Sequence, residues 1–199
     1  MLGPQRDGQS TFRLLRDDPA WPGLLDVEDA GRELVTRYLG SYGPATSANL
    51  HYWFTDGLGA PRRRLDSWLS DVADHVTVDG DGGGGGEEWY VLNADLEALH
   101  AAELSVTVRL LPPFDPWILG PGTADPRLIA PARRALFSQG ANPVIVGGAV
   151  AGTWRLRARM VEVSCFHEAG ALPEGSFDAE LQRLAAISAN GLSITSSTA

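Results

Sequence analysis

Three arginines stand side by side at Arg62, Arg63 and Arg64, just after a glycine-rich stretch and just before Trp68 and Leu69. A second set, Arg155, Arg157 and Arg159, recurs at every other position. On a strand, that spacing puts all three guanidiniums on one face, about 6.7 Å apart. A nucleic-acid strand offers a phosphate about every 3.4 Å of axis, so such a row could follow its backbone. In a helix over 60–70, Leu65, Trp68 and Leu69 fall at i, i+3 and i+4, and Arg63 and Ser67 point the opposite way. Arg63 and Ser67 would then meet base edges, while Arg62 and Arg64 hold phosphates. The competing readings are a solvated helix face with Asp66 and Asp71 one turn away, and a polar strand face balanced by Glu162 and Glu168. Three arginines without partners on one strand face repel one another, so something negative should sit near them.

Other chemistry has less support. The five glycines at 82–86 are followed by Glu87 and Glu88, with no Lys-Ser/Thr after them, so they form a flexible tip and not a phosphate loop. Asp71, Asp74, Asp79, Asp81, Glu87 and Glu88 surround that tip, and no arginine lies between residues 71 and 108, which opposes phosphate contact there. Asp115 in FDPWILG fits a turn cap better than a catalytic acid. His51, His75, His100 and His167 show no ligand spacing, and Cys165 lies in an apolar run. Neither a metal nor a small-molecule cofactor is expected, and no catalytic residue is assigned.

These side chains need elements to position them. Asp26 is placed to cap a helix over 26–42, with Ala30, Leu34, Tyr38 and Tyr42 as its apolar stripe, ended by Gly43-Pro44. Thr46 or Ser47 caps a short helix over 46–55, and Pro61 opens a third. Alternation at Val76 and Val78, then Trp89–Leu92, predicts a hairpin over 74–93. Three short helices followed by a hairpin is the order of a winged helix over 26–93, whose third helix enters the major groove in helix-turn-helix proteins. A linker helix over 94–104 follows. Residues 105–190 read as a β-rich unit with a closing helix over 176–189, and Gly147-Gly148 as its hairpin turn. The apolar phase switches after Met160, which predicts a bulge near 160–161. Residues 1–25 read as the remnant of a preceding segment, and 191–199 as a disordered tail. The fold class is α+β.

The totals set bounds. A chain of 199 residues with 44% hydrophobic content can bury a core. One cysteine, no signal pattern and no apolar stretch of spanning length point to the cytoplasm, away from membranes. The net charge is −9, every one of the 16 basic residues is arginine, and residues 105–160 carry seven arginines against Asp115 and Asp125, a local balance of +5. An acidic total opposes non-specific nucleic-acid binding, but a local patch can survive it.

Several segments together resemble a known family. RYLGSYGPATSANLHYWF at 37–54, RLLPPFDPWILG at 109–120 and VAGTWRLR at 150–157 look like winged-helix DNA-binding proteins related to the AlkZ-type DNA glycosylases, and GPQRDGQSTF at 3–12 resembles a stretch that family carries before its winged helix. The resemblance spans about 3–165. It implies tandem winged helices followed by a β-rich, barrel-like domain, and excision of alkylated or crosslinked bases from DNA. The family's catalytic motif is a glutamine, one residue, then glutamine or aspartate; Gln9, Gln139 and Gln182 lack the second member, and Gln5-Arg6-Asp7, which meets the bare spacing, falls in the stretch that resembles the segment before the winged helix and is not taken as the motif. The expectation is a truncated or non-catalytic relative whose partner is double-stranded DNA. The rivals are a non-enzymatic transcriptional regulator and a winged helix that binds protein instead of DNA.

Overall fold

A computed structural model describes residues 3–55, 59–76, 88–157, 160–187 and 196–198. Residues 3–26 pack little of their apolar surface. They hold an isolated bridge between Arg6 and Gln9 and one 3-10 turn at Leu15–Asp17. No strand of two or more residues forms among residues 3–26.

Helix α1 runs Val27–Tyr42, and the Asp26 carboxylate accepts from the Glu28 N–H at 2.9 Å, as the sequence predicts. Its buried stripe is Gly31, Val35, Tyr38 and Leu39, about one residue on from the expected stripe. Strand β1 (Ala45–Thr46) leads into α2 (Ser47–Thr55), and the Thr46 hydroxyl caps α2 by accepting from the Asn49 N–H. Helix α3 (Arg62–Val72) buries Leu65, Trp68 and Leu69 against α1 and α2. Burying each such side chain stabilises the fold by about 1.5–3 kcal/mol. Close approach of α1 and α3 depends on Gly31, because a Cβ there would lie 2.2 Å from Trp68 Cε2.

Strands β2 (Ala73–Val76) and β3 (Trp89–Leu92) form the expected ladder. The short β1 pairs with the other edge of β3, so three antiparallel strands run in the order β1-β3-β2. The acidic, glycine-rich tip at 77–87 lies outside the described residues.

After a 3-10 turn at Asn93–Asp95 and the single-turn helix α4 (Leu96–His100), the chain enters a second sheet. Its strands are β4 (Val108–Leu110), β5 (Asn142–Val146), β6 (Ala149–Arg157) and β7 (Met160–Cys165), with two short helices, α5 (Pro116–Leu119) and α6 (Arg134–Ser138), between β4 and β5. Gly147 and Gly148 both have positive φ and turn β5 into β6, as the sequence predicts. The expected bulge at 160–161 is corrected. Arg157 pairs with Met160, so the chain reverses there, and the apolar phase switches because a new strand begins. The register irregularity lies instead at Val144/Ile145.

Helix α7 (Glu174–Ile187) closes the unit, with Phe177, Leu181 and Leu184 against Val108, Leu110, Val144, Val161 and Val163. Strand β8 (Ser196–Thr198) then adds parallel to β7. The sequence places a disordered tail over 191–199. A strand forms at 196–198 because the free edge of β7 offers unpaired backbone groups to any extended segment. No described helix is long and apolar enough to cross a membrane.

Candidate nucleic-acid interface

Helix α3 presents its arginines at its first turn. Arg62, Arg63 and Ser67 are exposed, Arg63 and Ser67 opposite the buried Leu65, Trp68 and Leu69 and Arg62 near the edge of that stripe. The two acids that could neutralise them are engaged elsewhere. Asp66 accepts from the Ser47 hydroxyl at 2.9 Å and lies 3.4 Å from His51 Nε2, which ties α3 to α2. Asp71 pairs with Arg32 of α1 at 3.2 Å. Arg64 is different. Its Nε lies 3.3 Å from Glu28, the carboxylate that also accepts from Trp68 Nε1 at 2.6 Å. Arg64 therefore helps seat α3 on α1 and is less available to a ligand than its neighbours.

The strand arginines sit in another environment. Arg155 lies directly across from Glu162 and donates to it, and Arg157 Nε is 4.0 Å from the same carboxylate. The sequence reading of three partnerless arginines is corrected for these two, because the 157–160 reversal brings Glu162 beside them. Arg159 lies outside the described residues. The first group stands on α3, whose Leu65, Trp68 and Leu69 pack in one core cluster with α1 and α2, whereas β6, which carries the second, is held between β5 and β7. No hydrogen bond or ion pair among the described residues joins the two arginine groups.

The surplus of arginine over 105–160 is largely spent inside the fold. Arg109 lies 3.6 Å from Glu180, Arg127 pairs with Asp125 at 2.7 Å, and Arg133 pairs with Glu168 at 2.8 Å. Among the described residues, Arg6, Arg16, Arg62, Arg63 and Arg134 make no ion pair with another described residue. Two of those five are adjacent, at the start of α3.

The most elaborate polar cluster was not legible in the sequence. Asp125, 3% exposed, accepts from the Arg127 backbone N–H, Nε and Nη2. Arg127 also donates to the Pro44 carbonyl at 2.7 Å, and its guanidinium lies 3.9 Å from the Trp89 ring centroid. Asn49 Nδ2 donates to the Pro121 carbonyl at 2.9 Å, and the Tyr38 hydroxyl, pushed up in pKa by burial and then by Asp125, faces the Gly120 carbonyl. A Cβ at Gly120 would lie 2.2 Å from Tyr42 Cζ. The 120–127 segment thus locks the helical unit to the second sheet. A DPR tripeptide reads as a turn, and nothing local marks its acid as buried. Asp115 does what the sequence predicts: it caps α5, accepting from the Trp117 N–H at 2.8 Å.

With this geometry established, comparison with known proteins decides the family. A family model described as DNA glycosylase AlkZ-like matches residues 1–187.

The chain belongs to the AlkZ-like DNA glycosylase family.

A curated AlkZ-like relative, the interstrand DNA cross-link repair glycosylase of Streptomyces sahachiroi, is 31% identical over 190 residues, covering 92% of this chain and 50% of that protein. The solved structure of Streptomyces sahachiroi DNA glycosylase AlkZ superposes with a TM-score of 0.84 at 28% identity, over 98% of this chain and 54% of that one. The chain spans about half the length of the AlkZ proteins it matches.

Proposed function

We propose that this AlkZ-like chain binds double-stranded DNA through a winged helix over 26–93, with α3 as the element that meets the duplex. The helix order, the β1-β3-β2 sheet and the exposed start of α3 support this reading. The observation that carries it is the adjacent pair Arg62 and Arg63, free of ion pairs with described residues while Asp66 and Asp71 are held by α2 and α1. An exposed guanidinium pair beside a serine is what phosphate contact and base-edge contact require. Arg63 and Ser67 face the bases and Arg62 a phosphate. Arg157 adds a backbone contact only if DNA competes with Glu162 for this strand face. Arg64 contributes by fixing the helix more than by touching DNA.

The curated relative is named for repair of interstrand cross-links. For this chain the reading is binding without base release, since its one Gln-x-Asp, Gln5-Arg6-Asp7, lies in an exposed turn of the N-terminal segment. Alkylated and plain duplexes, assayed for retention and for free base, test it. Retention without released base supports the reading. Released base overturns it. A second reading, a winged helix that docks on protein, is favoured by the net charge of −9 and by Glu162 beside Arg155 and Arg157. Under that reading no duplex is retained even at low salt.

A further inference from the structure

The groove along β4 and α5 is separate from the α3 surface, and its lining has a specific chemistry. Its volume is about 510 Å³, within the roughly 300–1,000 Å³ range of small-ligand sites. Leu111 and Ile145 supply an apolar floor, and Trp117 stands at the wall with 46% of its surface exposed. Asp115, half-buried, lies on the same rim, with one oxygen taken by the Trp117 N–H. Arg109 and Arg183 complete the lining. Both are held by Glu180, which is fully buried: Arg183 at 2.6 and 2.7 Å, Arg109 at 3.6 Å. Glu180 also accepts from the Leu110 N–H at 2.8 Å, so the two guanidiniums are anchored to the strand that borders the groove. Two cations share the Glu180 carboxylate and Asp115 lies on the rim, so the groove offers both signs of charge with no net excess.

We propose that this groove holds one unpaired nucleotide of DNA. The base lies flat on the Trp117 indole over Leu111 and Ile145, an edge N–H donates to Asp115, and the phosphate meets Arg109 and Arg183. Each part of a nucleotide finds its complement. An exposed indole is a stacking platform for any base, a carboxylate accepts from an amine or ring N–H, and a preorganised guanidinium binds phosphate without further ordering cost. A paired base cannot enter, because both its faces are covered by the stack and its edge is occupied by its partner. The proposal rests on the reading of the chain as a DNA-binding protein, but places a second contact away from α3.

The test uses the full chain and three probes: a duplex carrying one unpaired 2-aminopurine, the same duplex with that base paired, and the single strand. The unpaired probe binds about tenfold more tightly than the paired one, a gain consistent with stacking on an aromatic side chain, and its fluorescence is quenched. Trp117→Ala abolishes both the gain and the quenching and leaves paired-duplex binding unchanged; Trp117→Phe restores most of the gain. Equal binding of paired and unpaired duplexes overturns the groove and leaves the α3 reading intact. Single-strand binding that needs Trp117, without duplex binding, upholds the groove and overturns the α3 reading. No binding of any probe overturns both. Binding of free deoxynucleoside monophosphate as tight as that of the unpaired probe overturns the assignment to DNA.

Discussion

The Arg127 guanidinium lies 3.9 Å from the centroid of the Trp89 ring while its Nη2 grips Asp125 at 2.7 Å. One side chain therefore joins strand β3 of the first sheet to a buried carboxylate in the loop that follows α5. The orientation of the α3 surface relative to the second sheet passes through this contact and through the Asn49 bond to the Pro121 carbonyl.

Arg127→Ala strands a carboxylate that is 3% exposed. Breaking a fully buried pair costs about 3–5 kcal/mol. Arg127 is a third exposed, so we expect about 2 kcal/mol here. Arg127→Lys keeps the charge but loses the bidentate fork and the flat stacking surface, and is expected to recover less than half of that. Calorimetric melting of the three proteins checks the order wild type, Lys, Ala. Equal melting of Lys and wild type would show that charge alone holds the joint.

Gly31→Ala drives a methyl into the Trp68 indole, 2.2 Å from Cε2. Overpacking of this kind costs about 1–3 kcal/mol. Trp68→Leu opens space at the same point, so the double variant is less destabilised than the sum of the two singles. Urea unfolding of the four proteins measures the coupling, and strict additivity would mean that α1 and α3 already tolerate a wider separation.

The Arg133 guanidinium, donating at 2.8 and 3.0 Å, is the main cause that holds the Glu168 carboxyl down to about 2. A depressed carboxylate contributes stability above its unfolded pKa, about 4.3. That contribution is lost as pH falls from there through the folded value. Glu168→Gln is therefore less stable than wild type by a constant amount above about pH 5. The difference in melting temperature closes toward pH 2. Glu168 is exposed, so added salt narrows the gap. A gap that widened on acidification would contradict the assignment.

The helices that carry the candidate interface were legible because their signals are local. Asp26 caps α1, Leu65, Trp68 and Leu69 fall on one face of α3, and Gly147-Gly148 makes its turn, as expected. Strand β1 is two residues long and leaves no period to detect. The reversal at 157–160 was read as a bulge because both events switch the apolar phase; only pairing tells them apart. Glu180 and Arg183 look like an ordinary solvated pair one turn apart, yet Glu180 is fully buried because it reaches the N–H of Leu110, seventy positions back. Asp125 is hidden for the same reason: its partners include Asn49, from another unit of the chain. Charge counted along the sequence therefore overstated the free cations of the second sheet.

The most direct test of the central claim is the salt dependence of duplex binding by the wild type and by the Arg62→Ala/Arg63→Ala double variant. Each phosphate neutralised contributes about −0.9 to the slope of log K against log salt. The wild type is expected to bind duplex at low salt, with affinity falling as salt rises. The double variant binds at least tenfold more weakly, with a slope shallower by roughly one or two. An unchanged slope and affinity in the double variant would contradict the claim.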